Sequence, residues 1–263
     1  MNALVTGGCK GLGKIFTLEL LNRGYKVYAL YNKSVDAALE LENSFDNVRC
    51  IKCDIKNEAE VERILFNIND IDIIINNAAI AIDSEYKDKT KKEFMRVLET
   101  NVVGTFLVTK YALQSMSKNG VIVNISSNAA INANTIYSMD YDASKAGVNM
   151  LTKDFALVID NEKNCEKIIS ICPGWINTEE VMQMNPNYLE EELKRTKQNK
   201  LLDKEELVKY ILYNLDTYKN GDIIEIKNIG WYYEKWWNKK ITKWWRKKIN
   251  QCIYWYRWYL YVL

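Results

Sequence analysis

The chain has 263 residues, with 36 Lys and Arg against 34 Asp and Glu, six cysteines and no histidine. That length suits a single α/β domain with a sizeable core. The lack of imidazole excludes Ser-His-Asp and Cys-His catalysis and every His-ligated metal site, which leaves proton chemistry to Tyr, Lys, Asp, Glu or Cys.

Apolar, β-branched runs alternate with segments of helical period. The strands are expected at Ala3–Thr6, Lys26–Tyr31, Val48–Cys53, Asp72–Asn76, Val121–Ser126, Lys167–Cys172 and Asp222–Ile226. Helices are expected near 14–21, 35–44, 57–69, 91–117, 141–160, 188–198 and 204–214. Strict alternation with apolar strands predicts one doubly wound, Rossmann-type parallel sheet of about seven strands, covered by helices on both faces. Ligands of such sheets lie beyond the carboxyl ends of the strands. No basic-then-apolar leader precedes the first strand, and no run approaches the roughly 20 apolar residues of a spanning helix. With scattered cysteines, the expected compartment is the cytoplasm.

The first strand runs into Thr6-Gly7-Gly8-Cys9-Lys10-Gly11-Leu12-Gly13, and an amphipathic segment follows. In a strand-turn-helix unit the glycines let the backbone approach a diphosphate, whose charge is met by free N–H groups at the helix N-terminus. The end of the second strand declares the cofactor. An acid there would hold the ribose hydroxyls of NAD, but this chain has Tyr31-Asn32-Lys33-Ser34, with Lys10 in the glycine loop. Two cations and two polar donors favour a phosphorylated ribose, so NADPH is preferred to NADH. The competing reading is that Lys10 and Lys33 are solvated surface lysines.

Asp54 follows the third strand, where it either accepts from an adenine amino group or caps the next helix. Cys50 and Cys53 form a CxxC, but in a strand they point to opposite faces and read as core residues; no metal is expected. Asn76-Asn77-Ala78-Ala79 closes the fourth strand with small residues beside amides that tie strand ends together. Asn101, a poor helix former, interrupts the long helical segment 91–117 and reads as a kink or a water site, or else as a solvent-facing residue.

The chemistry falls in Ser126-Ser127 after the fifth strand and in Tyr141-Asp-Ala-Ser-Lys145. Tyr and Lys four residues apart share a helix face, so the ammonium is expected to pull the phenol pKa down from about 10 and make Tyr141 a general acid. A serine hydroxyl beside it would hold a substrate carbonyl oxygen. Pro173-Gly174-Trp175-Ile176-Asn177-Thr178 stops the sixth strand and turns Ile176 and Thr178 towards the cofactor's other end. The polar segment 179–200 is expected to be a mobile lid.

Together these motifs resemble the short-chain dehydrogenase/reductase family from Asn2 to about Gly230. The spacing T-G-x-x-x-G-x-G is that of its compact branch, and the pattern is most similar to 3-oxoacyl-carrier-protein reductases and related NADPH carbonyl reductases. The resemblance implies a tetrad of Asn101, Ser127, Tyr141 and Lys145. In it Tyr141 protonates the carbonyl oxygen, Ser127 orients it, Lys145 binds the nicotinamide ribose, and Asn101 holds a relay water. It also implies that Gly7, Lys10, Gly11, Leu12 and Gly13 line the diphosphate, Asn32 and Lys33 the adenosine ribose, and Asp54 and Ile55 the adenine. Asn77 would meet the cofactor at strand four, and Ile176 with Thr178 its carboxamide. A small-molecule carbonyl substrate and a homodimer or homotetramer follow from the same resemblance.

The sequence departs from the family pattern in three places. Asn-Asn-Ala-Ala replaces Asn-Asn-Ala-Gly. Ser127 lies one residue further than usual from Tyr141, so an insertion is expected near 132–138 and Ser126 stays a second candidate. Lys227-Asn228-Ile229-Gly230 stands where Asp-Gly-Gly is usual.

The 231–263 tail is a separate, basic, aromatic extension. It carries eight Lys and Arg, one acid and seven of the eight tryptophans, while 1–230 has 28 basic against 33 acidic residues. At about 100° per residue, Trp237, Ile241, Trp244, Trp245, Ile249, Cys252 and Ile253 share one helix half and Lys239, Lys240, Lys243, Arg246 and Lys247 the other. That pattern fits a helix on an anionic membrane surface, at the inner face of the membrane. Packing on a neighbouring subunit is the main alternative, and no nucleic acid is expected. The functional alternatives are a membrane-recruited enzyme of lipid or surface-glycan synthesis, and a cofactor-binding scaffold without turnover.

Overall fold

Seven parallel strands form one sheet in the order β3-β2-β1-β4-β5-β6-β7. They are β1 Asn2–Thr6, β2 Lys26–Tyr31, β3 Val48–Lys52, β4 Ile71–Asn76, β5 Met116–Ile125, β6 Lys167–Pro173 and β7 Ile223–Ile226. The computed structural model describes residues 1–133, 136–179 and 181–229. The tail lies outside the described residues, and so does the expected role of each residue in it.

Helices α1 Gly11–Asn22, α2 Val35–Ser44, α3 Glu58–Phe66, α4 Lys91–Leu98, α5 Gly104–Ala112, α6 Met139–Glu162, α7 Pro186–Thr196 and α8 Lys204–Tyr213 fill the crossovers. Strands covered on both faces must be apolar throughout, and β6 is buried at all seven positions. Leu4, Ile74, Ile122 and Ile168 sit in the core cluster, under Leu107, Val108 and Ile159 of the covering helices. Among the described residues no helix is long and apolar enough to cross a membrane.

Two expectations need correction. Residues 91–117 are not one helix. A five-residue π-turn, Glu99–Val103, separates α4 from α5, which ends at Ala112, and β5 starts at Met116. Asn101 sits in that π-turn and is 1% exposed, so the solvent-facing reading of it fails. The turn re-aims the helix around a buried amide, a usual place for such bulges.

The cysteines follow the strand argument in part. Cys53 lies in the core cluster, while Cys50, on β3, is only half-buried.

The strand ends are tied together by side chains at their carboxyl ends. Asn76 Nδ2 donates to Asn124 Oδ1 at 2.9 Å and to Thr109 Oγ1 at 3.1 Å. Asn77 Nδ2 donates to the Thr6 carbonyl at 3.1 Å, and the Asn77 and Ala78 N–H groups both donate to Thr6 Oγ1 at 3.0 Å. This network fixes the loop after β1 against the loop after β4.

Candidate active site

The glycine loop is shaped by close approach. A Cβ on Gly13 would stand 2.1 Å from the Gly7 carbonyl oxygen and 2.6 Å from Asn77 Nδ2, so only glycine lets α1 begin so near the loop. Gly7 and Gly11 hold φ of 63° and 53°, in the left-handed region that glycine adopts freely. The N-cap of α1 is Lys10, which makes no side-chain cap, and the first turn carries no acid. The leading N–H groups of α1 are therefore left for an anion, the arrangement a dinucleotide diphosphate requires.

Asn32 and Lys33 follow β2, exposed to solvent, and Lys10 is exposed in the glycine loop. Asp54 is engaged locally: Oδ1 accepts the Lys56 N–H at 3.2 Å and Oδ2 pairs with Lys56 Nζ at 3.2 Å. The cap of α3 is Asn57, which accepts from the Glu60 N–H, so Asp54 is not the helix cap. The Ile55 side chain is 6% exposed and packs on the Gly104 backbone, where a Cβ would lie 2.6 Å from Ile55 Cδ1. At this position only the Ile55 main chain is left to face an adenine.

Beyond the ends of β4, β5 and β6 lies a cavity of about 910 Å³. Of the residues singled out from sequence, Leu12, Asn77, Ser126, Ser127, Tyr141, Lys145, Ile176 and Thr178 line it together. Gly7, Gly11, Gly13, Asn32, Lys33, Asp54 and Ile55 lie outside it, along the ends of β1, β2 and β3. The segment expected to be a lid contributes Val181, Met184, Asn185, Tyr188 and Thr196. Sequence reasoning missed Asp83 and Tyr137 as lining residues, because loop positions carry no periodic signal.

Helix α6 presents Tyr141 and Lys145 one turn apart, and β5 delivers the serines. Ser127 lines the cavity beside the Tyr141 phenol and draws its pKa down against the effect of burial. The Ser127 hydroxyl accepts the Ala129 N–H at 3.1 Å. Ser126 is 3% exposed and its hydroxyl donates to the Lys145 main-chain carbonyl at 3.1 Å. Of the two candidates, Ser127 lies beside the phenol and Ser126 braces α6.

Lys145 is 4% exposed, and its ammonium donates to the Ile125 carbonyl at 2.7 Å while lying 5.5 Å from the Tyr141 ring centre. Burial pulls its pKa down to about 8. The phenol moves opposite to the expectation. Burial pushes Tyr141 up to about 12, offset by Ser127 and reinforced by Asp142 and Asp83. Desolvation of a phenolate outweighs an ammonium that faces the ring and bonds a carbonyl instead of the hydroxyl.

Asn101 works from behind the cavity. Its Oδ1 accepts the Ile80 N–H at 2.8 Å, and its Nδ2 donates to the Ile80 carbonyl and to Ser144 Oγ, both at 2.9 Å. Its own carbonyl accepts from Thr105 Oγ1 at 2.8 Å.

The family model described as short chain dehydrogenase matches residues 1–189. An acetoacetyl-CoA reductase of Shinella zoogloeoides is 34% identical over 199 residues, covering 73% of this chain and 80% of that protein. The 3-oxoacyl-[acyl-carrier-protein] reductase FabG of Vibrio cholerae is 28% identical over 217 residues, covering 80% and 88%. Among solved structures, the Pseudomonas aeruginosa RhlG/NADP active-site complex superposes with a TM-score of 0.76 at 23% identity, covering 86% of this chain and 94% of that one. BdcA in complex with NADPH gives 0.76 at 19% identity, covering 86% and 92%. Those two likenesses speak to the fold. With the match over 1–189 and the reductases above, the chain belongs to the short chain dehydrogenase family and is an NAD(P)-dependent oxidoreductase.

Proposed function

We propose that the protein reduces a ketone or aldehyde, or oxidises the corresponding alcohol, with NADPH as the preferred cofactor and Tyr141 as the general acid. The observation that carries this is one cavity lined by Ser127, Tyr141 and Lys145 that also reaches Leu12 and Asn77 beside the glycine loop. The uncapped α1 terminus and the crowded Gly13 fit a dinucleotide diphosphate. NADPH is supported by exposed Lys10 and Lys33, by the missing acid after β2, and by the NADP and NADPH complexes of RhlG and BdcA.

When bound, the reduced nicotinamide supplies hydride to the carbonyl carbon. The chain's residues handle the oxygen. A phenol held near pKa 12 carries its proton at neutral pH, and Tyr141 gives it to the carbonyl oxygen. Ser127 donates to the same oxygen and then to the phenolate left behind. The Lys145 ammonium, 5.5 Å from the ring centre, favours that phenolate, and Lys145 is assigned to the nicotinamide ribose. Ile176 and Thr178 are assigned to the carboxamide, Asn77 to the contact at β4, and Asp54 with the Ile55 main chain to the adenine. Asn101 is a positioning residue through Ile80 and Ser144, and its carbonyl keeps a second lone pair for a relay water.

The test is a carbonyl panel of acyl thioesters, sugars, steroids and quinones, followed by loss of NADPH absorbance. The relatives' names put 3-oxoacyl thioesters first. Turnover of one class supports the reading; tight NADPH binding with no class consumed favours the scaffold. We also propose a catalytic domain to about residue 230, a homodimer or homotetramer, a cytoplasmic location, and a 231–263 tail that rests on anionic lipid.

A further inference from the structure

A buried ion pair adjoins the phenol and takes no part in the chemistry above. Lys89 Nζ lies 2.9 Å from Asp140 Oδ2, and the two side chains are 8% and 0% exposed. Asp140 immediately precedes Tyr141, and its Oδ1 accepts the Tyr141 N–H at 2.9 Å. The N-cap of α6, Ser138, makes no side-chain cap, so Asp140 satisfies this leading N–H in its place. Lys89 also donates to the Ile82 carbonyl. That carbonyl belongs to the strap after β4, whose Ala79, Ile80, Ala81 and Asp83 line the cavity. The Ser84 N–H donates to the Tyr137 carbonyl at 3.0 Å, a second stitch between the strap and the segment leading into α6.

Two buried charges seldom add net stability, since apolar side chains of the same volume fill such a place equally well. What they add is direction. One ammonium bridges the strap and a carboxylate whose other oxygen holds the main chain of Tyr141. We infer that Lys89 and Asp140 form a positioning pair that fixes the first turn of α6, and with it the Tyr141 hydroxyl, relative to the substrate wall. Asn101 stitches the same strap to Ser144 one turn further on, so the phenol sits between two clamps. The inference rests on reading Tyr141 as the proton donor.

The experiment compares Lys89→Met, Lys89→Arg and Asp140→Asn with the unaltered protein. It reads kcat on the best carbonyl of the panel, the NADPH dissociation constant, and the 13Cζ resonance of Tyr141 in tyrosine-labelled protein. That resonance is assigned as the one missing from Tyr141→Phe. Lys89→Met is expected to lower kcat by about 10- to 100-fold, the cost of an ångström-scale misplacement, with NADPH affinity within about twofold. It is also expected to move the Tyr141 resonance, and Lys89→Arg to restore most of both. If Lys89→Met does not fold, Asp140→Asn, which keeps the acceptor for the Tyr141 N–H, carries the same test. Variants that lose only melting temperature, with kcat within about twofold and the resonance unmoved, overturn the inference. So does a kcat loss without movement of the resonance. If the unaltered protein turns over no carbonyl, the proposed function fails, and the resonance still decides the positioning role on its own.

Discussion

The Lys145 ammonium lies over the Tyr141 ring, 5.5 Å from its centre, and donates to the Ile125 carbonyl at 2.7 Å instead of to the phenol. The two groups are thus poised in opposite senses. Burial keeps the phenol protonated up to about 12 and brings the ammonium down to about 8. A neutral acid beside a cation is the pairing that carbonyl reduction requires, and the cation is the part that titrates near working pH.

The first consequence is a pH dependence. Lys145 is charged below about 8 and loses its charge as pH rises through that value, while Tyr141 keeps its proton throughout this range. The kcat/KM of carbonyl reduction should therefore be flat from pH 6 to about 7 and fall with a single inflection near 8. Lys145→Arg, charged at every pH used, should lose the inflection even if its plateau is lower. A profile that is flat or rising to about pH 9.5 contradicts this assignment.

The glycine cradle makes a graded prediction. Gly13→Ala forces a methyl to 2.1 Å from the Gly7 oxygen and should destabilise by about 1–3 kcal/mol while weakening NADPH binding at least tenfold. Gly11→Ala meets no atom within 4 Å and pays only for its φ of 53°, about 1 kcal/mol. Urea denaturation and NADPH titration of both variants check the ordering, and equal effects contradict it.

The cofactor assignment rests on the two exposed lysines. Lys33→Asp should weaken NADPH by about tenfold or more, the scale of one charge-assisted hydrogen bond, and change NADH little. Equal losses for the two nucleotides remove the preference for the phosphorylated ribose.

For the tail, deletion of 231–263 should abolish sedimentation with anionic phosphatidylglycerol vesicles and leave carbonyl reduction in place. Loss of the oligomer with no change in vesicle binding assigns the tail to subunit packing.

Much of this was legible from residues close in sequence. The glycine loop, the seven apolar strands and the Tyr141–Lys145 spacing are local patterns, and each sits where its period puts it, apart from the earlier start of β5 at Met116. What escaped is set by partners far along the chain. The π-turn at Asn101 exists because Ile80 and Ser144 claim its amide, 21 and 43 residues away. Nothing at Leu113–Ser115 marks the start of β5, since neither Gly nor Pro punctuates it. Ile55 turns into the core because Gly104 leaves room for it, which its place after Asp54 does not reveal. The phenol's shift was misjudged because spacing shows a neighbouring charge but not the burial that outweighs it.

The most direct test replaces one hydroxyl. Tyr141→Phe keeps the ring under Lys145 and removes only the proton donor. The account predicts loss of carbonyl reduction by about a thousandfold or more, within the range of general acid catalysis, with NADPH affinity within about threefold. Retained turnover in the variant, with NADPH still bound, contradicts it.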